Sequence, residues 1–195
     1  GGEVDEQYGA VSAAVQPPEA QGQGLARVQI PESVLHEVRG VDGVRLAVGE
    51  VLSVVSILED GRRATPGTFD SGQSFLRAWI TERELNPVQI TEGRAPRSEG
   101  EVTVDRGTAA DRHLGVGSKV SLSSATGAVE ATVVGMTRFG TSDAPDPGGT
   151  LTAALPWAFT LGSDGSASFA RLLVVADDGV APADLARRIG KVVPA

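Results

Sequence analysis

Hydrophobic residues recur at two spacings along this chain, and the spacings mark out its elements. Val34, Leu35 and Val38 stand at i, i+1 and i+4 between Pro31, which suits a first helical turn, and Gly40, which stops one. This predicts an amphipathic helix over Pro31 to Arg39. Val44, Leu46 and Val48 then alternate and lead into the β-rich run Val51 to Leu58. One long strand, bent at Gly49, is expected there, turning back at Glu59-Asp60-Gly61. Ahead of both, the apolar stretch Tyr8 to Val15 predicts a strand entering the core from an acidic loop region that spans residues 1–24.

Residues 62–100 lose periodicity and carry Pro66, Gly67, Gly72, Pro87, Gly93, Pro96 and Gly100. Short strands and loops are expected, with one helical turn around Phe75 to Trp79. Glu101 to Val104 predicts a brief strand, and Asp105 an N-cap for a helix over Arg106 to His113 that closes near Gly115. Lys119 to Ser123 and Val129 to Val134 alternate on either side of Ala125-Thr126-Gly127, which is the pattern of a hairpin. Thr141 to Thr150 reads as loop, a short helix opens at Pro156 and ends at Gly162, and a second loop runs from Gly162 to Ser166. The last segment offers a strand over Phe169 to Val175, a turn at Asp177-Asp178-Gly179 and an amphipathic helix over Pro182 to Ile189. Strand–helix units at both ends, around a β-rich middle, define an α+β fold class. Residues 1–60 and 168–195 are expected to build ferredoxin-like βαβ units in a split, porter-like layer, with residues 61–167 inserted as a β-rich subdomain.

Composition narrows the function. The 195 residues are 41% hydrophobic and 22% charged, which describes a globular piece able to bury a core without staples. The formal charge of −8, with no Lys/Arg cluster, argues against nucleic acid and against anionic lipid as partners. No apolar run reaches the length of a membrane span, so any membrane association is expected to come through spanning helices absent from this chain. With no cysteine, disulfides, zinc thiolates and a thiol nucleophile are excluded together. His36 and His113 lack a ligand at i+3 or i+4 and read as surface or helix-end residues. Asp143-Ala-Pro-Asp146 and Gly162-Ser-Asp-Gly-Ser fit no calcium or phosphate loop and read as turns, as do Asp177-Asp178. The few aromatics disfavour a stacking platform for bases or sugars, and Trp79 and Trp157 read as core. No catalytic, metal or cofactor residue is therefore expected, and the binding surface is unassigned.

A resemblance sharpens this picture. Glu92-Gly93-Arg94-Ala95-Pro96, Gly100-Glu101-Val102-Thr103-Val104-Asp105, Ala109, Leu114-Gly115-Val116-Gly117-Ser118-Lys119-Val120 and Val133-Val134-Gly135 follow one another in a distinctive order. Together they resemble the extracytoplasmic core domain of MacB/FtsX-like ABC transporter permeases. That family places a GRxP turn before an EVVVD strand, a short alanine-bearing helix, LxVGDxV and a strand ending VVG. Ser118 departs from the pattern, standing where the family has Asp, and as a turn former it should preserve the turn. Val38 to Val44 is similar to the step after the family's first helix, and Leu172 to Val175 to its closing strand. The matched residues read as scaffold: Gly93 and Gly115 for positive φ, Asp105 as a cap, and Val102, Val104, Val120, Val133 and Val134 as core. The resemblance implies a domain on the extracytoplasmic side of the cell membrane, partnered through the full-length permease by a cytoplasmic ATP-binding subunit or domain. It would act on an extracytoplasmic substrate or protein, coupling the ATPase cycle to export or to an envelope partner. Both ends of the domain should then emerge on one side. The alternatives are a free-standing extracytoplasmic module that binds a ligand or protein, and, more remotely, a hydrolase whose Ser and Asp converge on His36 or His113.

Overall fold

The computed structural model describes residues 11–16, 29–58, 73–124, 127–146, 148–162 and 166–193. The predicted turn at Glu59-Asp60-Gly61, the opening residues Tyr8 to Ala10, most of the N-terminal loop, and parts of the loops at residues 125–126 and 163–165 fall outside them. In chain order the elements are β1 (Ala13–Val15), β2 (Ile30–Pro31), α1 (Glu32–Arg39), β3 (Val44–Glu50), β4 (Leu52–Leu58), β5 (Gln73–Ala78), a 3-10 turn (Arg83–Leu85), β6 (Val88–Gly93) and β7 (Glu101–Asp105). They continue with α2 (Arg106–Asp111), β8 (Lys119–Ser124), β9 (Gly127–Phe139), β10 (Thr150–Ala153), α3 (Leu155–Gly162), β11 (Ser168–Phe169), β12 (Arg171–Ala176) and α4 (Pro182–Ile189). The result is a mixed α+β chain. It divides into two compact units, residues 1–51, 82–85 and 167–195, and residues 52–81 and 86–166.

In the first unit β12 lies between β1 and β3 and is antiparallel to both. β1 and β3 are therefore parallel to one another, joined through α1, with the last strand of the chain set between them. This is one split β–α–β arrangement. The second expected βαβ is not there: among the described residues no strand follows α4. Leu172, Leu173, Val174 and Val175 are all buried in succession, as a strand covered on both faces requires. Val34, Leu35 and Val38 of α1 and Leu185 and Ile189 of α4 supply the buried helical stripes, as their spacing predicts. The small pair β2–β11 sets Ile30 opposite Phe169, whose ring occupies the space a side chain on Gly49 would need.

The segment expected as one long strand is two. β3 pairs with β12, β4 pairs with β5 and β8, and the chain leaves the first unit at Val51. The strand-rich unit thus starts at Leu52 and not after residue 60, and the turn Glu82–Leu85 belongs to the first unit. In the second unit the pairing order β9-β7-β10-β5-β4-β8 returns to β9 through the β8–β9 ladder, closing a ring that leaves none of these six strands as an edge. β6 adds to β9 further along. One face of the ring carries Val55, Leu76, Val102, Val104, Leu122, Ala131, Val133 and Leu151, all buried. α3 packs on β4 and β5 with Trp157, Ala158 and Leu161 buried. Phe75 to Trp79, expected to form a helical turn, is mostly strand β5: Ser74, Leu76 and Ala78 are buried in alternation, a period of two. β10 falls at the end of what reads as loop.

Candidate functional site

The ends of α1 and α4 in the first unit frame an open groove of about 650 Å³ lined by His36, Glu37, Gly40, Val41, Asp42, Arg188, Lys191 and Val192. Gly40 and Gly190 end the two helices. Arg188 sits in the last turn of α4, where a cation is favoured by the helix dipole. Its Nη1 donates to the carboxylate of Asp42 at 2.7 Å and to the Asp42 carbonyl at 2.8 Å, tying the loop after α1 to the closing helix. The pair is largely in water, with Asp42 97% and Arg188 41% exposed, so it positions more than it stabilises. The lining includes no Ser, Thr or Cys. The groove thus brings opposite charges together beside Val41 and Val192.

The same end of the first unit receives both ends of its described chain. Ser12 donates its N–H to the Val174 carbonyl at 2.8 Å, and its Oγ accepts from the Ala176 N–H at 3.0 Å. Ala176 pairs with Val44, and the Asp177 N–H reaches the Gly43 carbonyl at 2.9 Å, next to the Asp42 that lines the groove with Lys191 and Val192.

In the second unit the run Gly93 to Gly135, singled out by its resemblance to the permease pattern, proves to be a built corner. Gly93 has φ +72°, and a side chain there would strike the Val134 carbonyl; one on Gly135 would strike the Arg94 carbonyl. The two glycines let β6 and β9 approach at the bulge that skips Val134 between the β7 partners Val133 and Gly135. Arg94 grips Glu101 with both terminal nitrogens, at 2.8 and 2.5 Å, and the Arg97 N–H adds a bond at 2.9 Å. The Arg94 guanidinium, followed by that backbone donor, holds the Glu101 carboxyl down at about 2. Asp105, buried, accepts the Thr108 N–H at 2.9 Å as the predicted cap and the Thr150 N–H at 2.6 Å besides.

α2 is shorter than expected. It stops at Asp111 because His113 takes φ +53°, while the Leu114 N–H returns to Ala109 at 2.8 Å and the His113 N–H to Ala110 at 3.3 Å, a Schellman closure. The glycine with positive φ in the following turn is Gly117, at +93°, and not Gly115. Ser118 keeps that turn, its Oγ accepting the Gly115 N–H at 2.9 Å.

Of the residues singled out by their chemistry, His36 lines the groove and His113 lies in the other unit. No hydrogen bond joins either imidazole to a serine or a carboxylate among the described residues. Asp143 pairs with Arg106 and Asp146 with the Thr150 hydroxyl, Asp177 lies in its predicted turn, Trp157 is buried and Trp79 is half-buried. Among the described residues no group of three or more His, Asp or Glu could hold a metal ion, and no helix is long and apolar enough to cross a membrane. Asp42 and Arg188 carried no local sign of their meeting, being 146 positions apart.

The fold is similar to that of extracellular and periplasmic domains of solved transporters. It matches the extracellular domain of the noncanonic ABC-type transporter YknZ from Gram-positive bacteria with a TM-score of 0.60 and 12% identity, covering 92% of each chain. It matches the periplasmic region of MacB from Actinobacillus actinomycetemcomitans with the same TM-score and identity, over 96% of this chain and 86% of that one. A domain of a putative permease protein from Porphyromonas gingivalis is similar at a TM-score of 0.54 and 15% identity, over 80% of this chain and 73% of that one. No family model and no curated protein matches the sequence.

Proposed function

We propose that this chain is the extracytoplasmic domain of an ABC transporter permease, coupling the cycle of a cytoplasmic ATP-binding partner to export or to an envelope partner. The observation that carries the reading is the likeness of almost the whole chain to almost the whole of two such domains. It is supported by the placing of Ser12 against Val174 and Ala176, and of Asp177 against Gly43 beside the groove that Lys191 and Val192 line, at one end of the first unit. The residues matched by the permease pattern hold glycines, caps and an ion pair, so their work is mechanical. A domain that transmits motion needs discrete arrangements of rigid parts and no chemical site of its own.

Absence of cysteine makes the test direct. A single cysteine placed at exposed Glu130 in the full-length protein should react with a membrane-impermeant maleimide on intact cells. The protein purified from those membranes should bring an ATP-binding subunit, or carry that domain itself. Labelling only after lysis overturns the reading. Labelling without any membrane-bound ATPase would favour a free-standing module that binds through the groove beside α4.

A further inference from the structure

Between β5 and β6 the chain leaves the second unit for four residues, Glu82–Leu85, which belong to the first. Asn86 ties both legs of this excursion at the root: its Nδ2 donates to the Ile80 carbonyl at 2.7 Å, and its Oδ1 accepts the Val88 N–H at 2.9 Å. At the tip the Leu85 N–H closes the 3-10 turn onto the Glu82 carbonyl at 2.9 Å, and the Leu85 side chain is fully buried. Glu84 meets Arg45 of β3 fork to fork, with the two bonds at 2.8 and 2.9 Å.

Arg45 has a second set of acceptors close by. Ala176 is the register partner of Val44, and the Asp177 N–H reaches the Gly43 carbonyl at 2.9 Å, so the turn Asp177-Asp178 sits at the start of β3, next to Arg45. The Glu84 hydrogen bond does most to hold the Arg45 charge, and Asp178 and Asp177 add to it through space. Both aspartates are exposed, and neither holds an ion pair among the described residues. Arg45 and Glu84 are themselves 44% and 37% exposed, so water competes for each and one carboxylate can replace another at little cost. We propose that Arg45 is a two-position latch: closed on Glu84 it holds the turn Glu82–Leu85 down, and swung to Asp177 and Asp178 it frees Glu84 and loosens the turn. A domain that transmits motion needs such a contact with two arrangements. That use of the latch rests on the permease reading, whereas the test of the latch needs neither nucleotide nor membrane.

Hydrogen exchange at the Leu85 amide, followed by NMR on the 195-residue chain, reads the opening of the turn. Glu84→Gln should speed that exchange about two- to fivefold, the factor an exposed ion pair supports; an unchanged rate shows that the pair does not hold the turn and overturns the latch. Asp177→Asn/Asp178→Asn should slow it about twofold, because the open state loses its acceptors. A rate unchanged or raised by the two asparagines overturns the competition. The same two substitutions made on top of Arg45→Gln should have no effect, since the contested cation is gone. Slowing that persists in the Arg45→Gln background means that the aspartates merely repel Glu84, and refutes the two-position assignment.

Discussion

At the scale of single residues, three positions carry measurable consequences. His113 holds a left-handed conformation that costs an L-residue about 1–2 kcal/mol and a glycine little. His113→Gly should raise stability by about 1 kcal/mol in urea denaturation, since the Schellman bonds are made by backbone. Glu101 has its folded-state carboxyl depressed to about 2 by Arg94 and the Arg97 N–H. Its contribution is thus complete above its unfolded value of about 4.3 and is lost as the pH falls from there toward the folded value. Tm measured against pH should fall less steeply across that window in Glu101→Gln than in the parent. Glu50, buried at 4% exposure, is hydrogen-bonded by Arg171 across the β3–β12 ladder. Arg171→Met should cost about 3–5 kcal/mol by leaving the carboxylate buried without its cation, and adding Glu50→Gln should recover much of that loss. The partners of Glu101 were within a few positions and inside the matched pattern; Arg171 stands 121 positions from Glu50, beyond any local reading.

At the scale of elements, the decisive piece is β9. Its thirteen residues ladder with β8 along the first half, with β6 along the second, and with β7 from Thr132 to Thr137. One strand can close the ring because the bulge at Val134 bends it and Gly135 and Gly93 allow the strands to touch there. Gly135→Ala should therefore destabilise by about 1–3 kcal/mol, as overpacking does, where Gly100→Ala, with open space around it, tests only the backbone angle. Thermal unfolding of the two variants side by side checks this. The helices α1, α3 and α4 and the β8–β9 hairpin could be read ahead of the structure, because periodicity and end signals are local. β5 and β10 could not be read as readily. Each is short, and the partner that makes each a strand is brought to it from far along the chain, since β10 lies between β5 and β7.

At the scale of the whole molecule, the chain passes between its units at Val51, Thr81, Leu85 and Ser166. Spin labels at Val11 and Val193 should lie within about 20 Å, given strands about 5 Å apart and a helix layer about 10 Å from its sheet, and a pulsed dipolar measurement giving a much longer distance would contradict the arrangement of the first unit. What the sequence determined by itself was the α+β class, the local helices and hairpin, and an ordered set of turn glycines, caps and packing valines whose spacing resembles a permease domain. Those features depend on neighbours within a few residues, where backbone sterics and periodicity decide the outcome. Only the tertiary structure decided that Val44 to Leu58 divides between two sheets, that β12 enters between β1 and β3, that the second βαβ is not completed among the described residues, and that Asp42 and Arg188 frame a groove. Each of those depends on which distant segment supplies the hydrogen bonds and covers the apolar face, and strand pairing across a hundred or more residues leaves no periodic trace in either partner.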